Sequence, residues 1–162
     1  MRKIIIIGKG DSWKLAPEGG ETWGVNDLCF RREVTLIFQM HEWDASDLTR
    51  DILAYSKRKN IPVISLTNFP LDKMHTDYFT NSISYMIAYA IFVGATHIDM
   101  YGCVMATKDE YAFQKPNIEY WIGYASGKGI KVTVFGNTNL LKSEDGKVYG
   151  YNINQTGTSP KI

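Results

Sequence analysis

The residues in this chain best suited to chemistry follow its first apolar run. Gly8-Lys9-Gly10-Asp11-Ser12 comes directly after Ile4-Ile5-Ile6-Ile7, and a glycine-rich turn at the end of a buried strand lets the backbone approach an anion closely. Ser12 adds a hydroxyl and Lys9 a counter-charge, and a short helix after the turn would aim free N–H groups at a phosphate. Gly8, Gly10, Asp11 and Ser12 are therefore candidate phosphate-binding residues. The alternative for the same turn is a tight strand-to-helix connection with no ligand. Spacing disfavours two common nucleotide motifs. Trp13 stands where the dinucleotide fingerprint requires a third glycine, and no Gly-Lys-Ser/Thr follows a four-residue spacer.

Further polar groups stand at the ends of other strand-like runs. Asn26 or Asp27, after Glu21-Thr22-Trp23-Gly24-Val25, could bind a ribose hydroxyl or read a base edge, or bond its own backbone in a turn. His41-Glu42-Trp43-Asp44 follows Thr35-Leu36-Ile37-Phe38. Imidazole serves acid–base catalysis and carboxylates hold Mg2+ through oxygen, so His41 or Glu42 is the candidate catalytic base, with Glu42 an alternative magnesium ligand. Thr80-Asn81-Ser82 precedes a long apolar-periodic segment, where a helix N-terminus could receive a second phosphate or a carboxylate, or where these residues only cap the helix. Lys108 to Pro116 is expected to be irregular and suits the attachment of a lid, with Tyr111, Tyr120 and Trp121 able to stack on a base or pack.

These groups have to be positioned by alternating elements. Strands are expected at 4–7, 21–25, 35–38, 62–66, 97–101 and 131–135. Helices are expected at 46–59, 81–94 and 118–128. Leu48, Ile52, Leu53 and Tyr55 give the first helix its apolar face, and Ile83, Met86, Ile87, Ala90 and Ile91 the second. Asn81 or its neighbours can cap the second helix, and Gly94 suits its end. His97 and Asp99 alternate and should share one face of their strand, in a structural role. The pattern implies an α/β three-layer sandwich with a mostly parallel central sheet of about six strands. Glu144-Asp145-Gly146-Lys147 suggests a small hairpin ending near Tyr151. Residues 1–154 are expected to form one domain, with 155–162 a flexible tail.

Composition narrows the function classes. Lys plus Arg total 18 and Asp plus Glu 17, so no global basic field drives binding to nucleic acid. Arg31-Arg32 and Lys57-Arg58-Lys59 are expected on solvated faces. Cys29 and Cys103 lie far apart without a CxxC, which argues against a disulfide framework or a thiolate zinc site and points to a reducing compartment. No run approaches the roughly 20 apolar residues of a membrane span, and Ile4 to Ile7 is too short for a signal-peptide core. The expectation is a cytoplasmic protein with no membrane or nucleic-acid partner, compatible with a homo-oligomer.

Gly8-Lys9-Gly10-Asp11-Ser12, Trp23-Gly24-Val25-Asn26, Asn81-Ser82 leading to Gly94, and Ile98-Asp99-Met100-Tyr101-Gly102 together resemble the Rossmann-like superfamily. That superfamily contains 6-hydroxymethyl-dihydropterin diphosphokinase-like proteins and small bacterial CMP-sialic acid sialyltransferases. The resemblance implies that Gly10, Ser12 and Asn26 contact nucleotide phosphate and sugar, that Asn81 and Ser82 sit beside the phosphates, and that Gly102 closes its strand at the site. The chain departs from the pattern at Asp11, where proline is usual, and has no histidine after His97 to match the lid histidine of the sialyltransferases. The resulting expectation is a transferase using a nucleotide-activated donor, by glycosyl, nucleotidyl or diphosphoryl transfer, with a nucleotide or nucleotide-sugar ligand and Mg2+ as a candidate cofactor. The alternatives are a non-catalytic nucleotide or signalling-nucleotide binder and a scaffold whose aromatic surface forms an interface.

Overall fold

A computed structural model describes residues 1–42 and 46–142. The expected hairpin near 144–151, the expected tail at 155–162, and Trp43 and Asp44 lie outside the described residues.

Six strands form one sheet: β1 (Lys3–Ile7), β2 (Glu21–Val25), β3 (Leu36–Gln39), β4 (Val63–Ser65), β5 (His97–Tyr101) and β6 (Lys131–Val134). Their spatial order is β4-β3-β2-β1-β5-β6 and every pairing is parallel. Among the described residues the sheet is thus wholly parallel, in line with the mostly parallel arrangement the spacing predicts. Three helices, α1 (Asp47–Lys59), α2 (Ser82–Phe92) and α3 (Lys115–Gly127), serve the crossovers.

The four isoleucines of β1 show why the run has no polar alternation. Ile4 and Ile6 join Trp23, Phe38, Met86 and Trp121 in the core beneath α2 and α3. Ile5 and Ile7 point to the opposite face, against Ala16, Leu28 and Tyr101. A strand covered on both sides needs apolar residues at every position, because either face would otherwise bury an unpaired polar group. On that second face α1 covers β3 and β4 through Ile52, which packs with Cys29, Val34 and Ile37. Helices and turns therefore lie on both sides of the sheet, giving the three layers.

Two helices differ from expectation. The buried stripe of α1 is Thr49, Ile52 and Ser56, spaced i, i+3, i+7, while Leu48 is exposed. Of the expected face, Ile52 is buried and Leu53 and Tyr55 are half-buried, so Leu48 alone falls outside it. The stretch expected to be irregular before α3 is helical. It runs through a π turn, Glu110–Gln114, directly into α3. Pro116 supplies the reason, since a proline ring clashes with the carbonyl four residues earlier, and a widened turn relieves that clash without breaking the helix. The start is fixed by a capping box. Thr107 Oγ1 accepts the Glu110 N–H at 3.2 Å, and the Glu110 carboxylate accepts the Ala106 and Thr107 N–H groups at 2.9 and 2.8 Å. Among the described residues no helix is long and apolar enough to cross a membrane.

The segment between β4 and α2 is anchored by a residue the sequence reading passed over. Asn117 is fully buried, accepts the Thr80 N–H at 2.9 Å and donates to the Tyr78 carbonyl at 2.9 Å. Trp121 donates to the same carbonyl at 3.0 Å. Phe79 is then sandwiched between Tyr85, at 4.1 Å, and Trp121, at 5.0 Å. Of the aromatic residues considered for stacking on a base, Trp121 is core, whereas Tyr111 and Tyr120 are exposed.

Candidate functional site

Strand order runs outward from β1 to β4 on one side and turns back to β5 and β6 on the other. The loops after β1 and β5 therefore diverge at the carboxyl edge, the place where open parallel sheets bind ligands. An open cleft of about 1010 Å³ lies there. It brings together Gly8, Gly10, Asp11 and Ser12 from the loop after β1, Asn26 after β2, and His41 after β3. Asn81 and Ser82 at the start of α2 and Gly102 after β5 complete the set of candidate residues on its wall. Two candidates do not line it: Glu42 is exposed elsewhere, and Asp27 is turned to a salt bridge.

The glycines are explained first by the approach of two loops to each other. Gly8 donates to the Tyr101 carbonyl at 2.8 Å and Gly10 to the Gly102 carbonyl at 2.9 Å. A Cβ on Gly8 would lie 2.5 Å from the Gly102 oxygen, and one on Gly102, whose φ is +64°, would lie 2.5 Å from the Gly8 oxygen. Ser12 fastens this junction. Its hydroxyl accepts the Gly102 N–H at 2.8 Å and donates to the Phe135 carbonyl at 3.3 Å, so three loops meet on one buried side chain. Gly136 is required beside it, because a Cβ there would lie 2.2 Å from Ser12 Cβ.

Asn81 is likewise occupied. Its carboxamide oxygen caps α2 by accepting the Ser84 N–H at 2.9 Å, while its amide nitrogen reaches Thr80 Oγ1 at 3.3 Å and the Gln114 carbonyl at 3.4 Å. Ser82, the first residue of α2, remains at the cleft with the first-turn amides.

At the β2–β3 end, Asn26 has a left-handed backbone, φ 48°, which asparagine tolerates better than most side chains. Its amide nitrogen lies 3.4 Å from His41 Nε2. The Asn26 carboxamide oxygen, and that of the buried Gln39 at the end of β3, have no hydrogen-bond partner among the described residues. Buried acceptors of this kind are usually paired.

The electrostatics of the cleft are mixed. Lys9 is ion-paired with Asp27, and Arg31 approaches the same carboxylate at 3.6 Å. Burial opposes ionisation of Asp27, but the Lys9 ammonium, with help from Arg31, outweighs it and holds the carboxyl below its ordinary range. The backbone N–H of Thr107, with that of Ala106, holds Glu110 low as well. Cys103 lines the cleft, and burial pushes its thiol up to about 12, which favours the protonated form. Arg32, read from sequence as solvated, instead donates to the carbonyls of Trp13, Ala16 and Pro17. Asp99 faces the side opposite α2 and pairs with Lys3 at 2.6 Å, a structural role as expected.

With this geometry in view, comparison with solved structures is informative. The chain is similar in fold to thiamine pyrophosphokinase. The Bacillus subtilis enzyme matches with a TM-score of 0.54 and 12% identity, over 83% of this chain and 60% of that one. The Geobacillus thermodenitrificans enzyme matches with a TM-score of 0.50 and 15% identity, over 82% and 59%. This chain thus spans about three-fifths of the length of those proteins. The sialyltransferase CstII of Campylobacter jejuni, in complex with CMP-3FNeuAc, matches with a TM-score of 0.43 and 16% identity, over 83% and 80%. No family model matches the chain, and no curated protein matches it. The Rossmann-like resemblance stands at the level of fold.

The sequence reading missed the loop after β6. Asn137 lines the cleft and is exposed, while the two residues that follow it are tied down. Thr138 donates to the Cys103 carbonyl at 2.7 Å, and Asn139 accepts the Met105 N–H at 3.2 Å and donates to the Met105 carbonyl. The Gly136-Asn137-Thr138-Asn139 run of turn-forming and side-chain-bonding residues was the available signal.

Proposed function

We propose that the cleft binds a nucleotide and that the protein is a transferase using a nucleotide-activated donor. The observation that carries this reading is the convergence of polar loop ends from β1, β2, β3 and β5, with the first turn of α2, on one cleft at the point where strand order reverses. In this reading the phosphate lies over the loop after β1, reached by the amides that follow Gly10 and by the first turn of α2. The sugar lies toward Asn26, whose amide is poised beside His41. His41 stands on the rim with its ring accessible to an acceptor hydroxyl and serves as the base. Asp11, exposed on the phosphate loop, is the carboxylate able to hold Mg2+ against a phosphate oxygen. Such a site fits magnesium, which takes one or two carboxylates and fills its remaining positions with phosphate oxygens and water. A pyrophosphokinase among the fold neighbours is in keeping with transfer chemistry.

One observation favours the second reading, a binder without turnover. Among the described residues the His41 ring meets the Asn26 amide and no carboxylate of the kind that orients a catalytic imidazole and stabilises its protonated form.

The test is a nucleotide panel scored by thermal shift with and without Mg2+, followed by mass spectrometry of the incubated ligand. A rise in Tm with a new product mass supports the transferase, and loss of product with retained binding in His41→Ala assigns the base. A rise with intact ligand supports the binder. No rise across the panel refutes both.

A further inference from the structure

We propose that a small cavity at the amino edge of the sheet, opposite the cleft, is a binding site for a zwitterion of the free amino-acid class. It uses none of the residues of the cleft and is independent of the nucleotide reading.

The cavity, about 250 Å³, lies between the C-terminal end of α1 and the turns that lead into β2 and β3. That volume falls below the range of about 300–1000 Å³ common for pockets that take nucleotides and drug-sized molecules, and suits a smaller guest. Its apolar wall is Val34, Ile61 and the ring of Tyr55, which Phe30 meets edge-on at 5.3 Å. The two threonines on the wall are committed to the backbone. Thr35 Oγ1 accepts the Thr22 N–H at 3.0 Å and donates to the Thr22 carbonyl at 2.9 Å, and Thr22 Oγ1 donates to the Gly19 carbonyl at 3.3 Å. These bonds fix the wall before any guest arrives.

Two opposite charges remain on that wall. Glu33 and Lys59 both line the cavity and are exposed, so a solute can reach them. Among the described residues neither has an ion-pair partner, and they do not pair with each other. Elsewhere along the same edge such charges are matched: Arg2 meets Glu21 at 2.8 Å and Lys3 meets Asp99 at 2.6 Å. A carboxylate and an ammonium that share a cavity without meeting are complementary to one molecule carrying both charges, its ammonium toward Glu33 and its carboxylate toward Lys59. Gly19 and Gly20, also on the wall, add two backbone N–H groups with no acceptor among the described residues. Their φ angles are +78° and +75°, and a Cβ on either would meet nothing within 4 Å, so glycine serves the turn here and leaves the space beside it open. A guest of one charge would leave the opposite side chain unanswered, and a polyanion would be repelled by Glu33. The Tyr55 ring, Val34 and Ile61 favour an apolar side chain on the guest.

The test is amide NMR of the full chain titrated at millimolar concentration with free valine, leucine, methionine and phenylalanine. Leucine methyl ester and N-acetyl-leucine serve as controls that each keep one charge. At least one free amino acid should shift the amides of Gly19, Gly20 and Thr35. Each control should bind about threefold to tenfold more weakly than leucine, the loss expected for one charge-assisted contact in a partly solvated site. Glu33→Gln and Lys59→Gln should each weaken the free amino acid by a similar factor, with the Tm of the unliganded protein within about 1 °C of wild type because both positions are exposed. Several results overturn the proposal: no shift with any of the four, shifts confined to amides of the carboxyl-edge cleft, or binding that survives unchanged in both variants. A control that binds as tightly as leucine also overturns it, since the site would then read one charge only.

Discussion

Replacing Ser12 with alanine should destabilise the protein even with no ligand bound. The hydroxyl is buried and supplies the partner for the Gly102 N–H at 2.8 Å, at a junction where Gly102 and Gly8 are in backbone contact. Hydrogen replaces hydroxyl with little change of volume, so the dominant cost is a buried N–H left unpaired, about 1–3 kcal/mol. The bond to Phe135 at 3.3 Å is long and adds little. Taking about 2 kcal/mol, and a sensitivity of about 2–4 °C per kcal/mol for a chain of this size, Tm should fall by about 4–8 °C. The assay is calorimetry of wild type and Ser12→Ala in the absence of ligand, with urea titration to check that the m-value is unchanged. A Tm within about 1 °C of wild type would refute the staple and return the hydroxyl to the role of a free phosphate donor. Loss of nucleotide binding in this variant is informative only beside that measurement, because loosening three loops also displaces the amides proposed to hold the phosphate.

Asn117→Ala should cost about 1–3 kcal/mol in urea unfolding, since it leaves the Thr80 N–H without its buried partner while the Tyr78 carbonyl keeps only the bond from Trp121; a loss under about 0.5 kcal/mol would contradict the anchoring role. Glu110 has a lower pKa folded than unfolded, because backbone N–H groups favour its ionised form. Its contribution is therefore complete above the ordinary carboxylate pKa and is lost as pH falls through the folded value. Wild type should lose more stability than Glu110→Gln as pH is lowered below about 4, and parallel profiles would contradict the capping box. Asn137→Ala should weaken nucleotide-panel binding or turnover while leaving Tm within about 1 °C, because its side chain makes no recorded bond within the described chain; a large Tm loss would reassign it to structure.

Local pattern was enough to locate most elements. Ile4 to Ile7 specified a strand buried on both faces, Asn81 and Gly94 bracketed α2, and the alternation of strand and helix specified a parallel sheet. A parallel sheet in turn places ligands at strand ends, so the polar residues after β1, β2, β3 and β5 were legible as a candidate site before any contact was known. These are properties of neighbours in sequence, where propensity, capping and periodicity act over a few residues.

What each of those residues does was decided by tertiary structure. Ser12 and Gly102 are 90 positions apart, and nothing in the glycine-rich turn announces that its spare donors and its hydroxyl would be spent on another loop. The same limit hid Asn117, whose value depends on two backbone groups some 37 and 39 residues away, and Asn137, whose setting depends on the two following residues being tied to the loop after β5. A hydrogen-bonding group has few valences, and only the folded chain determines whether a neighbour fills them or leaves them for a ligand.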